Sequence, residues 1–305
     1  MRWRGNTVAD IYTSVAGQRA IESFYRRALD HWPVPHDELT VPTRQGATFV
    51  VASGDPGAPP LVLFHGSGTN SASWIRDVAV WARDYRVYAV DMIGEPGFSA
   101  PSRPSLASGA YAAWLDDVWD RLALSQASVA GVSLGGWLAL DFAVRRPGRV
   151  ASLSLVSPSG IGRQNRLSLL RIGALRMCGD WGLRRSMQFV AGSTMAIPPP
   201  LAEYLKIVFR SFRPRMTALP IRSDAELRAL TMPVQAIVGG RDVLLRSDET
   251  QSRLERLVPH ARVTLLDAAG HLLPPQTQAI AEFLAAVTRP HTVDASSLES
   301  YPAYS

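Results

Sequence analysis

Gly131-Val132-Ser133-Leu134-Gly135 lies between an apolar, strand-like run at 127–130 and a helix-like run at 136–144. A serine at such a strand-to-helix turn is held on a tight elbow, with its hydroxyl presented in a cleft. The glycines on both sides allow the strand and helix backbones to approach each other closely. The stretch predicts that Ser133 is a nucleophile, but an ordinary glycine-rich turn has the same pattern, so the rest of the chain must distinguish the two.

Two further segments supply an acid and a base in the order that a catalytic triad requires. The segment at 234–238 reads as a buried strand and leads to Asp242, and the segment at 262–266 reads as the next strand and leads to His271. Because parallel strands all open on one edge of a sheet, side chains that follow different strands can meet there. We therefore interpret His271 as the general base for Ser133, with Asp242 fixing the tautomer of the imidazole ring.

An oxyanion hole is predicted from the loop that follows the apolar strand at 61–64. Its sequence, His65-Gly66-Ser67-Gly68-Thr69, is too rich in glycine to begin a helix, and glycines let a backbone N–H turn into a cleft. We assign one donor to the N–H of Ser67, with that of Gly68 as the rival. The second donor is the N–H of Leu134, the residue after the nucleophile.

Strand-like and helix-like runs alternate along most of the chain. This alternation predicts an α/β fold, a mostly parallel central sheet with helices on both faces. The predicted strands lie at 48–53, 61–64, 87–91, 128–131, 151–157, 233–239 and 262–267.

Together these motifs resemble the α/β-hydrolase fold superfamily, and in particular its bacterial carboxylesterase-like serine hydrolases. Members of that superfamily cleave esters, lactones, thioesters, amides, epoxides and carbon–carbon bonds, so the fold alone does not identify the substrate. Its epoxide hydrolases and haloalkane dehalogenases carry an aspartate where this chain has Ser133. The segments that carry the resemblance are 65–66, 91–94, 97–99, 131–135, 240–242 and 270–271.

The sequence pattern predicts a division of the chain, to which the resemblance adds a cap. Residues 1–45 form an N-terminal extension with an amphipathic helix at 21–29, and residues 46–160 and 229–288 form the α/β-hydrolase core. Residues 161–228 interrupt the alternation and correspond to a helical cap over the active site, broken by three prolines at 198–200. Residues 289–305 lack periodicity and are expected to be a disordered tail.

Positive charge is concentrated in the interval 161–228. It contains eleven arginines and one lysine against four acidic residues, a net charge of +8 in a chain whose total is +6. Such a surface would attract an anionic substrate, an acidic carrier protein or a membrane surface. Alternatively, the charge reflects only an arginine-rich composition and no binding surface, because the whole chain has 31 arginines and one lysine.

Several classes of protein are not supported by the composition. No apolar run is long enough to predict stable membrane insertion, and the first residues lack the apolar core of a secretory signal, so we expect a cytoplasmic protein. Cys178 is the only cysteine, and the six histidines lack the spacing of a metal site. Phosphate-binding glycine motifs and nucleic-acid-binding patterns are also absent, so no cofactor, metal or nucleic-acid partner is predicted.

The sequence thus predicts a serine hydrolase that cleaves a small to medium, largely apolar ester through an acyl-enzyme on Ser133. A thioesterase or lactonase of a biosynthetic pathway has the same motifs, as has a cofactor-free perhydrolase or carbon–carbon hydrolase. A ligand-binding protein of the same fold, with slow or no turnover, is the alternative from outside the enzymes. The oligomeric state is left open.

Overall fold

The computed structural model describes residues 10–192, 198–215 and 217–288 of the chain. All five residues predicted for the site fall inside these ranges. The predicted tail at 289–305 lies outside them, as do the first nine residues of the predicted N-terminal extension.

Eight strands form one sheet within the described residues. Seven of them overlap the predicted strands, and the additional one, at the edge, is the first in the chain. In chain order they are β1 (His36–Thr43), β2 (Gly46–Ser53), β3 (Pro60–Phe64), β4 (Arg86–Val90), β5 (Ala127–Val132), β6 (Val150–Val156), β7 (Val234–Gly239) and β8 (Arg262–Leu266).

The order of the strands across the sheet is β1-β2-β4-β3-β5-β6-β7-β8. From β4 to β8 all neighbours are parallel, while β2 runs antiparallel to β4 and β1 antiparallel to β2. The predicted α/β fold with a mostly parallel sheet is therefore confirmed. The carboxyl ends of β3, β5, β7 and β8 open on one edge, where the loops that carry the predicted site residues begin.

Ten α-helices connect and cover the strands in the described part of the chain. They are α1 (Val15–Leu29), α2 (Val78–Trp81), α3 (Ala110–Arg121), α4 (Leu134–Arg145), α5 (Arg166–Arg176), α6 (Gly179–Ala191), α7 (Pro199–Ser211), α8 (Asp224–Arg228), α9 (Ser247–Leu257) and α10 (Thr277–Thr288).

Helices cover both faces of the sheet, so successive side chains of a central strand enter two different cores. In β3, Val62 and Phe64 pack with residues of α3, α4 and α9. Leu61 and Leu63 pack instead with residues of α1, α2 and α10. Burial on both faces explains why this strand is a continuous apolar run in the sequence.

The N-terminal helix α1 contacts both the sheet and the segment at 161–228. Its Tyr25 packs in the core beneath the sheet, and the hydroxyl of Tyr25 donates to Asp91 Oδ1 at 2.9 Å. One turn earlier, Ile21 packs against Tyr204 and Val208 of α7. Helix α1 thus contacts the sheet with one part of its length and α7 with another.

Helices α5 and α6 form a hairpin that leaves apolar side chains exposed. Leu167, Leu170, Met177 and Trp181 are the larger of these, with exposed fractions of 53% or more. Cys178 is exposed at the turn of the hairpin. Lys206, the only lysine of the chain, is exposed on α7. None of the helices described is both long and apolar enough to cross a membrane.

Candidate active site

Ser133 occupies the turn between β5 and α4 in a strained conformation. Its φ of +53° and ψ of −109° lie outside the regions that non-glycine residues usually adopt. The glycines of the elbow make this turn possible. A Cβ on Gly131 would stand 2.4 Å from the carbonyl oxygen of Gly135, and a Cβ on Gly135 would stand 2.2 Å from that of Phe64. Only glycine lets the three backbone segments approach this closely.

Ser133, His271 and Asp242 are joined by two hydrogen bonds. His271 Nε2 lies 3.0 Å from Ser133 Oγ, and His271 Nδ1 lies 2.7 Å from Asp242 Oδ2. The side chain of His271 is 8% exposed and that of Asp242 is 1% exposed. A carboxylate on Nδ1 favours the tautomer that leaves Nε2 free to accept the proton of the serine hydroxyl.

The acid and the base are each held by their surroundings. The second carboxylate oxygen of Asp242 accepts the backbone N–H groups of Leu244 and Leu245 at 2.7 and 3.0 Å, which fixes the carboxylate after β7. The backbone N–H of His271 donates to the carbonyl of Val190 in α6 at 3.3 Å. The carbonyl of His271 accepts from the hydroxyl of Ser157 at 3.0 Å.

The loop at 65–69 lies next to the elbow, since a Cβ on Gly66 would stand 3.9 Å from the Cβ of Ser133. Its Gly68 N–H donates to the carboxylate of Glu95 at 2.7 Å. Among the described residues, the N–H of Ser67 has no protein acceptor. The N–H of Leu134 is the first of helix α4, where an N–H has no carbonyl partner within the helix.

His65 supports this loop from below. The Met92 N–H donates to His65 Nε2 at 2.9 Å, so Nδ1 carries the proton and donates to the carbonyl of Gly66 at 2.9 Å. The ring is 1% exposed, and burial lowers the pKa of His65 below its usual value. A neutral His65 with one fixed tautomer therefore braces the loop.

Glu95 is a residue of the site to which the sequence assigned no role. It is 3% exposed, and burial raises its pKa to about 7, although the Gly68 N–H and the positive charges of Arg103 and Arg215 act in the opposite direction. The only signal in the sequence was an acid placed between Gly94 and Pro96 in an otherwise apolar loop.

All five residues predicted for the site are thus at one edge of the sheet. Ser133, His271 and Asp242 are in hydrogen-bond contact, and Ser67 and Leu134 are on the two backbone segments beside Ser133. Across the described ranges, no group of three or more histidine, cysteine, aspartate or glutamate side chains could hold a metal ion.

Residues 61–286 match the family model described as the alpha/beta hydrolase family. The carboxylesterase YbfK of Bacillus subtilis (strain 168) is 31% identical over 256 residues, which are 82% of this chain and 86% of that protein.

Two crystal structures of Bacillus subtilis enzymes are similar in fold. Carboxylesterase CesB (YbfK) gives a TM-score of 0.80 at 29% identity, with 89% of this chain and 99% of that chain covered. Naproxen esterase (carboxylesterase NP) gives a TM-score of 0.77 at 26% identity, with 94% and 98% covered. The similarity extends over most of the length of each chain.

Proposed function

Because the chain belongs to the alpha/beta hydrolase family and is a carboxylic ester hydrolase, we propose that Ser133, His271 and Asp242 are its catalytic triad. The observation that carries this proposal is the unbroken hydrogen-bonded line from Ser133 Oγ through both ring nitrogens of His271 to Asp242. The strained backbone of Ser133 supports it, since strain of this kind is typical of a nucleophile elbow.

In the first step Ser133 Oγ attacks the carbonyl carbon of the ester while its proton passes to His271 Nε2. Asp242 accepts a hydrogen bond from the Nδ1–H of His271 and stabilises the imidazolium that forms. The tetrahedral intermediate then collapses, and His271 gives the proton to the departing alcohol. In the second half His271 Nε2 takes a proton from a water molecule, whose oxygen attacks the acyl carbon. The second intermediate collapses to release the acid, and His271 returns the proton to Ser133 Oγ.

The negative charge of the intermediate is held by the backbone N–H groups of Ser67 and Leu134. We prefer Ser67 to Gly68 as the first donor because the Gly68 N–H is already donated to Glu95. The donor from Leu134 gains from its place at the start of α4, where the helix dipole favours negative charge.

The substrate is a small to medium, largely apolar ester, and residues 161–228 act as the cap that encloses it. Two structural observations support this role. Val190 of α6 accepts the backbone N–H of His271, and a Cγ of Val208 in α7 would stand 3.6 Å from a Cβ on Gly68. Helices of this segment therefore lie beside both the base, His271, and residues 65–69, the oxyanion loop. Apolar side chains such as that of Val208 would favour apolar acyl groups.

A thioester on an acidic carrier protein is a second candidate substrate. The net charge of +8 on residues 161–228 favours it, since a positive face raises the local concentration of an acidic partner. Hydrolysis of acyl thioesters in preference to oxygen esters of the same chain length would support this second candidate.

The proposal is tested by labelling the protein with a fluorophosphonate and by measuring hydrolysis of p-nitrophenyl esters of increasing acyl length. We expect the label on the peptide that contains Ser133 and a maximum of kcat/KM at one acyl length. Ser133→Ala should lose both the label and the turnover. Ser252→Ala, which removes an exposed hydroxyl on α9, is the matched control and should keep both.

The outcomes separate the alternatives. A label on Ser133 without turnover of esters or thioesters would favour a ligand-binding protein of this fold. A label on another serine, or a Ser133→Ala protein that still turns over esters, would refute the triad.

A further inference from the structure

Glu95 is a buried acid that the proposed mechanism does not use. It follows β4 and is only 3% exposed. Its Oε2 accepts the N–H of Gly68 at 2.7 Å and lies 3.4 Å from the hydroxyl of Ser67. Among the described residues, Arg103 and Arg215 lower the pKa of this carboxyl through their charge but make no ion pair with it. Their guanidinium groups donate to the carbonyl oxygens of Gly94 and Arg213 and to the hydroxyl of Tyr111. The hydrogen bonds of this carboxylate are therefore directed at the oxyanion loop.

The two peptide units on either side of Ser67 are held at different atoms. The carbonyl of the Gly66–Ser67 unit accepts from His65 Nδ1 at 2.9 Å and from the hydroxyl of Thr69 at 2.7 Å. In a trans peptide the N–H points opposite to the carbonyl, so these bonds aim the N–H of Ser67 away from His65. The Ser67–Gly68 unit is held at its N–H, and its acceptor is Glu95.

Glycine at position 68 makes the second restraint necessary. Gly68 has a φ of +72°, and a residue without a side chain has the widest freedom of backbone conformation. Without an acceptor for its N–H, the Ser67–Gly68 peptide could rotate and move Ser67 with it. The hydrogen bond that Glu95 accepts is buried, where a hydrogen bond is stronger than in water.

Glu95 is itself held in place. The carbonyl of the next residue, Pro96, accepts from Asn70 Nδ2 at 3.0 Å, and the same Nδ2 donates to the hydroxyl of Tyr204 in α7 at 3.1 Å. The backbone next to Glu95 is therefore fixed by Asn70, which also contacts α7.

We propose that Glu95 is a positioning residue for catalysis: it fixes the Ser67–Gly68 peptide and thereby aims the N–H of Ser67 at the oxyanion. This role rests on the proposed function, because it requires the N–H of Ser67 to serve as a donor to the tetrahedral intermediate. Glu95 contacts neither the ester nor Ser133 in this role and transfers no proton.

The test compares Glu95→Leu with Glu95→Gln. Leucine fills much of the same space but accepts no hydrogen bond, whereas glutamine keeps an acceptor oxygen for the N–H of Gly68. Since loss of a whole oxyanion donor lowers kcat by about 10²- to 10³-fold, a misaimed donor should cost about 10- to 100-fold in Glu95→Leu. KM should stay within about threefold of the unsubstituted value, because the interaction acts in the transition state. Glu95→Gln should keep kcat within about threefold.

Two further readouts separate positioning from a structural role. The rate of fluorophosphonate labelling of Ser133 should fall in Glu95→Leu by a factor similar to that of kcat, because the phosphoryl oxygen gains negative charge in the same hole as Ser133 attacks phosphorus. Thermal unfolding of both variants should remain cooperative. If Glu95→Leu does not fold, Glu95→Met fills the space with a more flexible side chain and is interpreted in the same way.

A Glu95→Leu protein with kcat within twofold of the unsubstituted enzyme would overturn the role of Glu95, as would equal losses in the leucine and glutamine variants. The proposed function fails differently, through a missing label on Ser133 in the unsubstituted protein. If Ser133 is labelled but no ester is turned over, the ratio of labelling rates alone decides the role of Glu95.

Discussion

At the level of single residues, the backbone of Ser133 is held in its strained conformation by hydrogen bonds on both sides. Its N–H donates to the carbonyl of Val156 at 3.0 Å, and its own carbonyl accepts the N–H groups of Trp137 and Ser159 at 3.0 and 3.2 Å. A positive φ at a serine costs of order 1–3 kcal/mol, which neighbouring structure must offset. The hydroxyl therefore has a fixed direction before any substrate arrives.

The buried carboxyl of Glu95 makes the stability of the fold depend on pH. Burial raises the pKa of its carboxyl from 4.5 to about 7, so the folded state favours the protonated form. Stability from this group is complete below pH 4.5 and is lost as the pH rises through 7.

Glu95→Gln should therefore change the pH dependence of the free energy of unfolding. Relative to the unsubstituted protein, the variant should gain up to roughly 3 kcal/mol between pH 5 and pH 8, because glutamine does not ionise. Denaturant unfolding of both proteins at the two pH values measures this difference. Equal differences at both pH values would show that folding does not raise the pKa of the Glu95 carboxyl.

At the level of elements, the strands that precede the oxyanion loop, Ser133 and Asp242 were predictable because they are buried on both faces of the sheet. Such burial gives an apolar run at 61–64 and a largely apolar one at 234–238. Strand β1 was missed because it lies at the edge of the sheet and has the polar residues typical of an edge. Its Asp37 and Glu38 pair with Arg86 and Arg26. Pro42 also reads as a strand breaker, although an edge strand tolerates it.

The geometry of the site was predictable to the extent that it depends on where strands end. Ser133, Asp242 and His271 each follow a strand of the parallel part of the sheet, so their proximity follows from topology. The position of Glu95 depends instead on how the loop after β4 folds back under residues 65–69. No local pattern in the sequence specifies such a long-range contact.

The junction of β5, α4 and β3 gives a prediction for Gly135→Ala. The new Cβ would stand 2.2 Å from the carbonyl oxygen of Phe64 and 2.5 Å from that of His65, and backbone cannot yield as a flexible side chain does. We expect a loss of more than about 3 kcal/mol in the free energy of unfolding. Gly173→Ala in α5 is the control. Its Cβ meets nothing within 4 Å, so this variant should be neutral or gain up to about 1 kcal/mol.

A Gly135→Ala protein with unchanged stability in denaturant unfolding would mean that β3 and α4 are farther apart than described. A large loss in Gly173→Ala would mean that α5 has a partner at that position.

At the level of the whole molecule, α1 connects two parts of the chain that are far apart in sequence. The hydrophobic cluster between α1 and α7 contains Ile21, Tyr204 and Val208, and Tyr12 forms an isolated β-bridge with Phe212. Since α7 lies beside the oxyanion loop, the N-terminal helix helps to determine where that part of the proposed cap stands.

Ile21→Ala should loosen α7 more than the rest of the fold. Ile21 is fully buried, and removal of its side chain should cost about 2–4 kcal/mol. Hydrogen exchange followed by mass spectrometry should find faster exchange of the α7 amides than of the α10 amides. Leu284→Ala is the matched control, because Leu284 is equally buried but lies on α10 and packs in the core on one face of the sheet.

If α7 and α10 respond alike to Ile21→Ala, then α1 stabilises the molecule as a whole rather than α7 in particular. If Leu284→Ala also loosens α7 preferentially, the effect reports general instability.

The placement of Cys178 and Lys206 makes the chain convenient for spectroscopy. They are its only thiol and its only side-chain amine, both are exposed, and both belong to the segment at 161–228. A maleimide dye on one and an amine-reactive dye on the other would form an energy-transfer pair across the α5–α6 hairpin and α7. Changes in the shape of the proposed cap could thus be followed in a protein with no substitution at all.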